Sequence, residues 1–357
     1  MASLLTLEEA QERVLERARP LAAEPVPIAE AGRRVVAEGV RARVDLPPFA
    51  SSAMDGFAVR SEDLPGILRI VGESAAGRPY RELLTSGCAA AISTGAVVPD
   101  GADAVVPVER VVQIANRVKV SRAVAPGAHI RPRGGDVASG EVVAPAGATL
   151  TPARLAAVAA AGVATVACRR CPRVSILATG SELVVPGEAL RAGQIYETNS
   201  LMLGAALAAT GAEVVPEPTA ADDEAVLRGA LERGLACDVL VTSGGVSVGE
   251  HDLVRKVEAE LGVEEVFWRV AIKPGKPVSF GVRGDTLVFG LPGNPVSALV
   301  GCELFVKPAL RALQGAEDPL PRFETGRLRV ALRRNEERDE FVRARARTEG
   351  GEVVLEP

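Results

Sequence analysis

From Arg173 onward, short β-branched runs alternate with segments of helical spacing, and this rhythm continues to Leu313. The runs Val174–Ala178, Glu213–Pro216, Asp238–Thr242, Val266–Ile272, Val278–Val282 and Leu287–Gly290 read as strands. Between and after them, Asn199–Thr210, a segment capped by Asp222 and running to about Arg233, His251–Leu261 and Pro295–Leu313 read as helices. A chain with this alternation has few options. It must bury both faces of a mostly parallel sheet, so the pattern predicts a doubly wound α/β domain.

The remaining residues have other textures. Thr6 followed by Glu9 predicts a capping box, and Leu7, Ala10, Val14, Leu15 and Ala18 form a helical stripe ending near Arg19-Pro20. Thr151-Pro152 predicts another helix start, with Gly162 as its stop. That helix is almost entirely Ala, Leu and Val, so its face needs a cover, either the first helix or a second subunit. Between the two helices, runs such as Ala104–Val108, Val118–Val120 and Glu141–Ala144 are broken by Gly and Pro, as in a small all-β domain. After Pro321 the chain turns charged and alternating, a strand-rich tail too short for a core of its own. The expected fold class is therefore multi-domain α/β plus β. A helical part covers 1–44 with 145–170, an inserted β domain 45–144, the α/β domain 171–318 and a C-terminal β domain 319–357.

Composition excludes several classes. A net charge of -5, with one Trp, two Tyr and eight Phe, offers neither the basic surplus nor the stacking platforms of a nucleic-acid binder. The longest nearly apolar run, Leu155 to Cys168, is too short to span a bilayer. The first twenty residues mix acids and bases without an apolar stretch, so no secretory signal and a cytoplasmic location are expected. Cys88, Cys168, Cys171, Cys237 and Cys302 form an odd, scattered set that fits a reducing compartment. Cys168-Arg-Arg-Cys171 reads as two incidental thiols more readily than as a redox pair.

Ligands of an open α/β sheet gather outside the carboxyl ends of its strands. Three such ends are marked here: Thr179-Gly180-Ser181-Glu182, Thr242-Ser243-Gly244-Gly245 running on to Asp252, and Gly290-Leu-Pro292-Gly293-Asn294-Pro295. Each pairs Gly with hydroxyl or amide donors ahead of a helix, as phosphate-binding loops do; each alone also reads as a tight turn. Gly244 to Gly249 has Walker A spacing, but Glu250 stands where Lys is required, and Val246 breaks the dinucleotide fingerprint. Cations must come from elsewhere. Only five residues are Lys, and Lys273 and Lys276 lie on one Pro-bounded turn. Glu182, Asp222 and Asp252 share the same sheet edge; acids beside a phosphate site make sense if Mg2+ bridges them, although Asp222 reads equally as a helix cap.

At these residues the sequence resembles the molybdopterin molybdenumtransferases, the family of the gephyrin E domain and the bacterial molybdenum-insertion proteins. The likeness runs in order through Ser52-Ala-Met-Asp55-Gly-Phe-Ala-Val59, Ile92-Ser-Thr94-Gly-Ala and Gly101-Ala-Asp-Ala-Val-Val106. It continues in Ile130-Arg-Pro-Arg-Gly-Gly-Asp136, Thr179-Gly-Ser-Glu182-Leu and Gln194-Ile-Tyr-Glu-Thr-Asn199. The Gly-Gly loop, Ala271-Ile-Lys-Pro-Gly-Lys-Pro277 and Leu291-Pro-Gly-Asn-Pro295 complete it. The resemblance implies an elongated homodimer that inserts molybdate into adenylylated molybdopterin and releases AMP with Mg2+ present.

By the family pattern Lys273, Lys276 and Ser247 hold molybdate, with Arg338 as a further cation. Asp222 and Asp252, with Glu182, place Mg2+ and the adenylate phosphate. Gly180, Ser181, Glu182, Ser243, Gly244, Gly245, Pro292, Gly293 and Asn294 line the pterin-phosphate site. Asp55, Thr94 and Asp136 reach it across a cleft, from the partner subunit. Two departures stand out: Arg269 occupies a position where relatives often carry Lys, and the chain ends at Pro357, before the family's usual final strands with their molybdate-binding Ser. The resemblance also suggests the pathway's adenylyltransferase as a partner. Two other functions compete, a molybdopterin adenylyltransferase and a non-catalytic pterin-binding scaffold.

Overall fold

The computed structural model describes residues 4–220, 223–245 and 253–357. Helix α1 (Leu7–Arg17) begins with the capping box. The Thr6 hydroxyl accepts from the Glu9 N–H at 3.1 Å, and Glu9 accepts from the Thr6 N–H at 2.8 Å. Helix α2 (Pro152–Ala160) has Thr151 as its N-cap and Pro152 in its first turn, and Gly162 follows at φ +80°. The two helices serve different cores. Leu7, Ala10 and Val14 of α1 join the core of the α/β domain, whereas Val158 of α2 packs with Val26, Val36, Ala144, Leu150 and Val166. So α1 does not cover α2; the outer Ala positions of α2 stay exposed. Around α2 the chain is largely extended: Ala23–Pro27 pairs with Thr165–Arg169, and Val40–Arg41 with Val142–Ala144, which brings both flanks of the β segment together.

That segment contains a six-stranded sheet in the order Ala104–Pro107, Gly56–Val59, Cys88–Ile92, Gly66–Ser74, Arg117–Val120, Val111–Ile114. Phe57, Val59, Leu68, Val106 and Val118 fill its core.

A second six-stranded sheet runs Glu213–Pro216, Arg173–Ala178, Val239–Ser243, Thr286–Leu291, Ser279–Arg283, Glu264–Trp268. Its first four strands are parallel, and Ser279–Arg283 pairs antiparallel with both of its neighbours. The period-two alternation of its strands decides which helix covers which face. Val174, Ile176, Val239, Val241 and Phe289 pack on one side with α1 and α3 (Asn199–Ala208). Leu177, Leu240 and Val288 pack on the other with α4 (Glu224–Gly234) and α5 (Leu253–Glu260). Helices α6 (Pro295–Gly301) and α7 (Lys307–Leu313) are joined by a π-turn, Cys302–Val306. Pro308 has no N–H to give to the preceding turn, which is the physical reason for the wider turn there. All five cysteines are free; Cys168 is buried, and burial pushes the Cys302 thiol up to about 12.

Two expectations are corrected. The N-cap of α4 is Asp223, whose carboxylate accepts from the Ala225 and Val226 N–H groups, both at 3.0 Å; the cap is not Asp222, which lies outside the described residues. The expected strand Val266–Ile272 is two elements. The chain turns at Arg269, φ +74°, and Ile272–Lys273 leaves the sheet to pair in parallel with Asp339–Glu340 of the C-terminal segment. Helix α5 is described over Leu253–Glu260, and its expected start at His251 lies outside the described residues. The C-terminal segment adds a three-stranded sheet of Arg327–Leu328, Glu352–Glu356 and Arg345–Glu349. Among the described residues no helix is long and apolar enough to cross a membrane.

One ion pair fastens the segment after Thr165–Arg169 to the α/β sheet. Arg170 donates twice to Asp238, at 2.7 and 2.5 Å, and the Arg173 N–H adds a third bond at 2.8 Å. Burial works to raise the Asp238 pKa, but these three donors outweigh it and hold the carboxyl below its usual range. Asp238→Ala is expected to destabilise the protein by ~2 kcal/mol at neutral pH, a value reduced from that of a fully buried pair because Arg170 is partly exposed. A depressed carboxyl pKa stabilises above the unfolded value and is lost as pH falls through the folded one. Melts of wild type and variant should therefore converge below about pH 4.

Candidate active site

The carboxyl ends of Arg173–Ala178, Val239–Ser243 and Thr286–Leu291 open into one pocket of about 590 Å³. Backbone bonds lace its loops together: the Thr179 N–H donates to Ser243 at 3.0 Å, and the Gly244 N–H to Leu291 at 3.1 Å. Gly244 sits at φ +98°, where a Cβ would lie 2.6 Å from the Thr179 carbonyl oxygen. Only glycine lets these two loops approach so closely. The Glu182 carboxylate folds back over Gly180, 2.6 Å from where a Cβ there would stand, and lines the pocket.

Of the expected pterin-phosphate residues, Gly180, Glu182, Ser243, Gly244, Gly245, Pro292 and Gly293 line this pocket. Ser181 is exposed on the same loop. Asn294 has a task of its own: its Oδ1 accepts from the Val296 and Ser297 N–H groups and so caps α6. Asp222, Ser247 and Asp252 lie outside the described residues. Beside the pocket, the Ala220 N–H donates to Ala178 and Ala220 accepts from the Gly180 N–H.

The lysine turn borders the pocket through Pro277 and a second cleft, of about 540 Å³, through Lys273. The second cleft is lined by Arg333, Arg334, Asn335, Glu336, Glu337 and Glu340 of the C-terminal segment. Strand pairing of Ile272–Lys273 with Asp339–Glu340 sets the Lys273 ammonium 2.7 Å from the Glu340 carboxylate. Lys273 holds that carboxyl below its usual range, so Glu340 is ionised at neutral pH. Two neighbouring lysines repel each other unless an acid offsets them, and Glu340 is that acid. Lys276 is exposed on the same turn. Arg338 lines a third cavity nearby, with Ala271 and Asp339. Arg269 stacks on Trp268, its guanidinium 3.7 Å from the ring centroid, and is not among the pocket-lining residues.

The inserted β domain contributes none of the described pocket lining. Asp55 accepts from the Thr94 N–H at 2.6 Å and from its hydroxyl at 2.9 Å, which holds the carboxyl below its usual range. Asp136 pairs with Arg131. Two residues that sequence reasoning did not single out are Glu340 and Asn199. Asn199 is buried against the pocket and donates to both Ser243 and Gly293. Its place at the end of the Gln194–Asn199 motif was the only signal.

Comparisons with known proteins show the family to which the chain belongs. Residues 5–162 match the family described as MoeA N-terminal region (domain I and II), and residues 175–312 match a probable molybdopterin binding domain. The molybdopterin molybdenumtransferase of Haemophilus influenzae is 41% identical over 317 residues, which is 87% of this chain and 78% of that protein. Molybdopterin molybdenumtransferase 2 of Mycobacterium tuberculosis is 39% identical over 364 residues, 98% of this chain and 89% of the relative. The crystal structure of the molybdopterin biosynthesis moeA protein from Pyrococcus horikoshii OT3 superposes with a TM-score of 0.80 at 32% identity, covering 99% of this chain and 90% of that one. With its motifs, its multi-domain α/β plus β fold and its near full-length relatives in agreement, this chain belongs to the molybdopterin molybdenumtransferase family, enzymes of molybdenum cofactor biosynthesis.

Proposed function

We propose that the enzyme inserts molybdate into adenylylated molybdopterin and releases AMP. The observation that carries this reading is the position of the lysine turn between a glycine-loop pocket and an Arg-lined cleft. The pocket suits the pterin-phosphate: backbone N–H groups of the three loops and the N-terminal end of α3 favour a phosphate without a P-loop lysine. The turn suits molybdate, a dianion. A single ammonium–oxyanion pair at ~4 Å contributes of order 4 kcal/mol at an effective dielectric near 20, before desolvation is subtracted. Lys273 and Lys276, with Arg338 and Ser247, are assigned to this anion.

Mg2+ is assigned to Asp222, Asp252 and Glu182. An all-carboxylate oxygen set suits this hard cation, and Glu182, the one member among the described residues, borders the pocket. Bound there, Mg2+ neutralises charge on the adenylate phosphate.

We also assign the active form to a homodimer. Asp55, Thr94 and Asp136 lie in a domain that supplies none of the described lining of this chain's own pocket, and α2 leaves its outer Ala face exposed. The substrate must come from an adenylyl transfer to molybdopterin, which makes the adenylyltransferase of the same pathway the natural partner. The reading is tested by AMP release from molybdopterin adenylate with and without molybdate, alongside sedimentation. Molybdate-dependent release by a dimer is expected; release indifferent to molybdate would overturn it.

A further inference from the structure

Asn199 opens α3 and is 8% exposed, yet its side chain does no capping. It reaches instead into the seam between two glycine loops, where Nδ2 donates to the Ser243 hydroxyl and to the Gly293 carbonyl, both at 2.8 Å. The orientation of the amide follows from chemistry: a carbonyl can only accept, so the nitrogen end must face Gly293. Both amide hydrogens are then spent. Ser243 receives one of them and keeps its own hydroxyl hydrogen for an acceptor. The other end, Oδ1, is buried with no hydrogen-bond partner among the described residues. A buried acceptor left unpaired costs free energy. A residue that only filled the space between two loops would not carry that cost.

We propose that Asn199 is a positioning residue for the phosphate end of the pocket. Its amide ties Ser243 to Gly293 and fixes the serine rotamer, so that the Ser243 hydroxyl hydrogen is held ready for a phosphate oxygen of the bound pterin. This rests on the reading of the pocket as the pterin-phosphate site. Asn199 acts through Ser243 and does not itself touch the ligand. Preset donors of this kind gain affinity because nothing has to reorder on binding.

The test is a double-mutant cycle on Asn199→Ala and Ser243→Ala, read by direct binding of molybdopterin adenylate and by AMP release. Each single variant should bind the adenylate about 10- to 30-fold more weakly. The double variant should be no weaker than Ser243→Ala within about twofold, and the molybdate half-saturation should stay within about twofold of wild type throughout. Asn199→Asp keeps the volume but removes both donors, so it should lose at least as much. Melting curves separate folding from binding; should Asn199→Ala not fold, Asn199→Ser, which keeps one donor, carries the same comparison. Additive losses would overturn the proposal, as would a lowered melting temperature with unchanged adenylate binding. If Ser243→Ala binds normally, the pterin-phosphate reading fails first. If Ser243→Ala is impaired and Asn199→Ala is not, only the role of Asn199 fails.

Discussion

In Lys276→Ala, the molybdate concentration that half-saturates AMP release is expected to rise about 100-fold, with molybdopterin adenylate binding within about twofold of wild type. The size follows from the charge pair: of order 4 kcal/mol at an effective dielectric near 20, less the cost of desolvating the ammonium, leaves ~2.7 kcal/mol, or two decades. The selectivity follows from geometry. Lys276 lies on the turn, whereas the glycine loops that would hold the pterin-phosphate bind through backbone N–H groups that the substitution leaves in place. The neighbouring pair makes a second, opposite expectation. Glu340 sits 2.7 Å from Lys273 and is a charged competitor for the same ammonium. Glu340→Gln should therefore lower the molybdate half-saturation several-fold while Lys276→Ala raises it. Raising ionic strength should weaken wild type more than Lys276→Ala, since fewer screened charges remain in the variant. An unchanged molybdate requirement in Lys276→Ala would remove the turn from the oxyanion site.

Gly244→Ala is expected to combine a loss of ~3 kcal/mol of stability with a fall of at least about 100-fold in adenylate binding. The residue is at φ +98°, and the new Cβ would lie 2.6 Å from the Thr179 carbonyl oxygen and 3.0 Å from its hydroxyl. A backbone carbonyl cannot swing aside as a lysine tip can. Relief requires the Thr179 and Gly244 loops to part, which breaks the Thr179–Ser243 and Gly244–Leu291 bonds that lace the pocket. Gly293→Ala supplies the contrast. Its Cβ meets only the Gly244 Cα, at 3.8 Å, so its melting temperature should barely move. Thermal melts and adenylate titrations of the two variants check both statements. A Gly244→Ala protein with wild-type stability and affinity would show that the loops yield more readily than their packing indicates.

Much of this protein is legible in its sequence because much of it is decided locally. The Thr6–Glu9 capping box and the Thr151-Pro152 helix start each depend on residues a few positions apart, whose hydrogen bonds close within one turn. The family is legible for a related reason. Motifs such as Ser52–Val59 and Ala271–Pro277 are contiguous, and the near full-length relatives bear the resemblance out. Candidate chemistry could be read where the residues proposed for it lie close in the chain, as the two lysines do.

What only the tertiary structure decided lies between residues far apart in sequence. That α1 packs on the α/β core and not on α2 depends on which apolar surface finds the better partner, and neither segment names its partner locally. The break at Arg269, which sends Lys273 out of the sheet to meet Glu340, cannot be read from an apolar run that continues to Ile272. Asp222 and Asp223 are equivalent candidates until backbone geometry selects one as the cap. Asn199, Ser243 and Gly293 come from a helix start, a strand end and a loop far apart in the chain, and nothing local to any of them requires the others. Local periodicity and capping determined the elements of this chain, and contiguous motifs its family resemblance. Long-range packing, which trades loop-closure entropy for buried contacts, decided which side chains share a site.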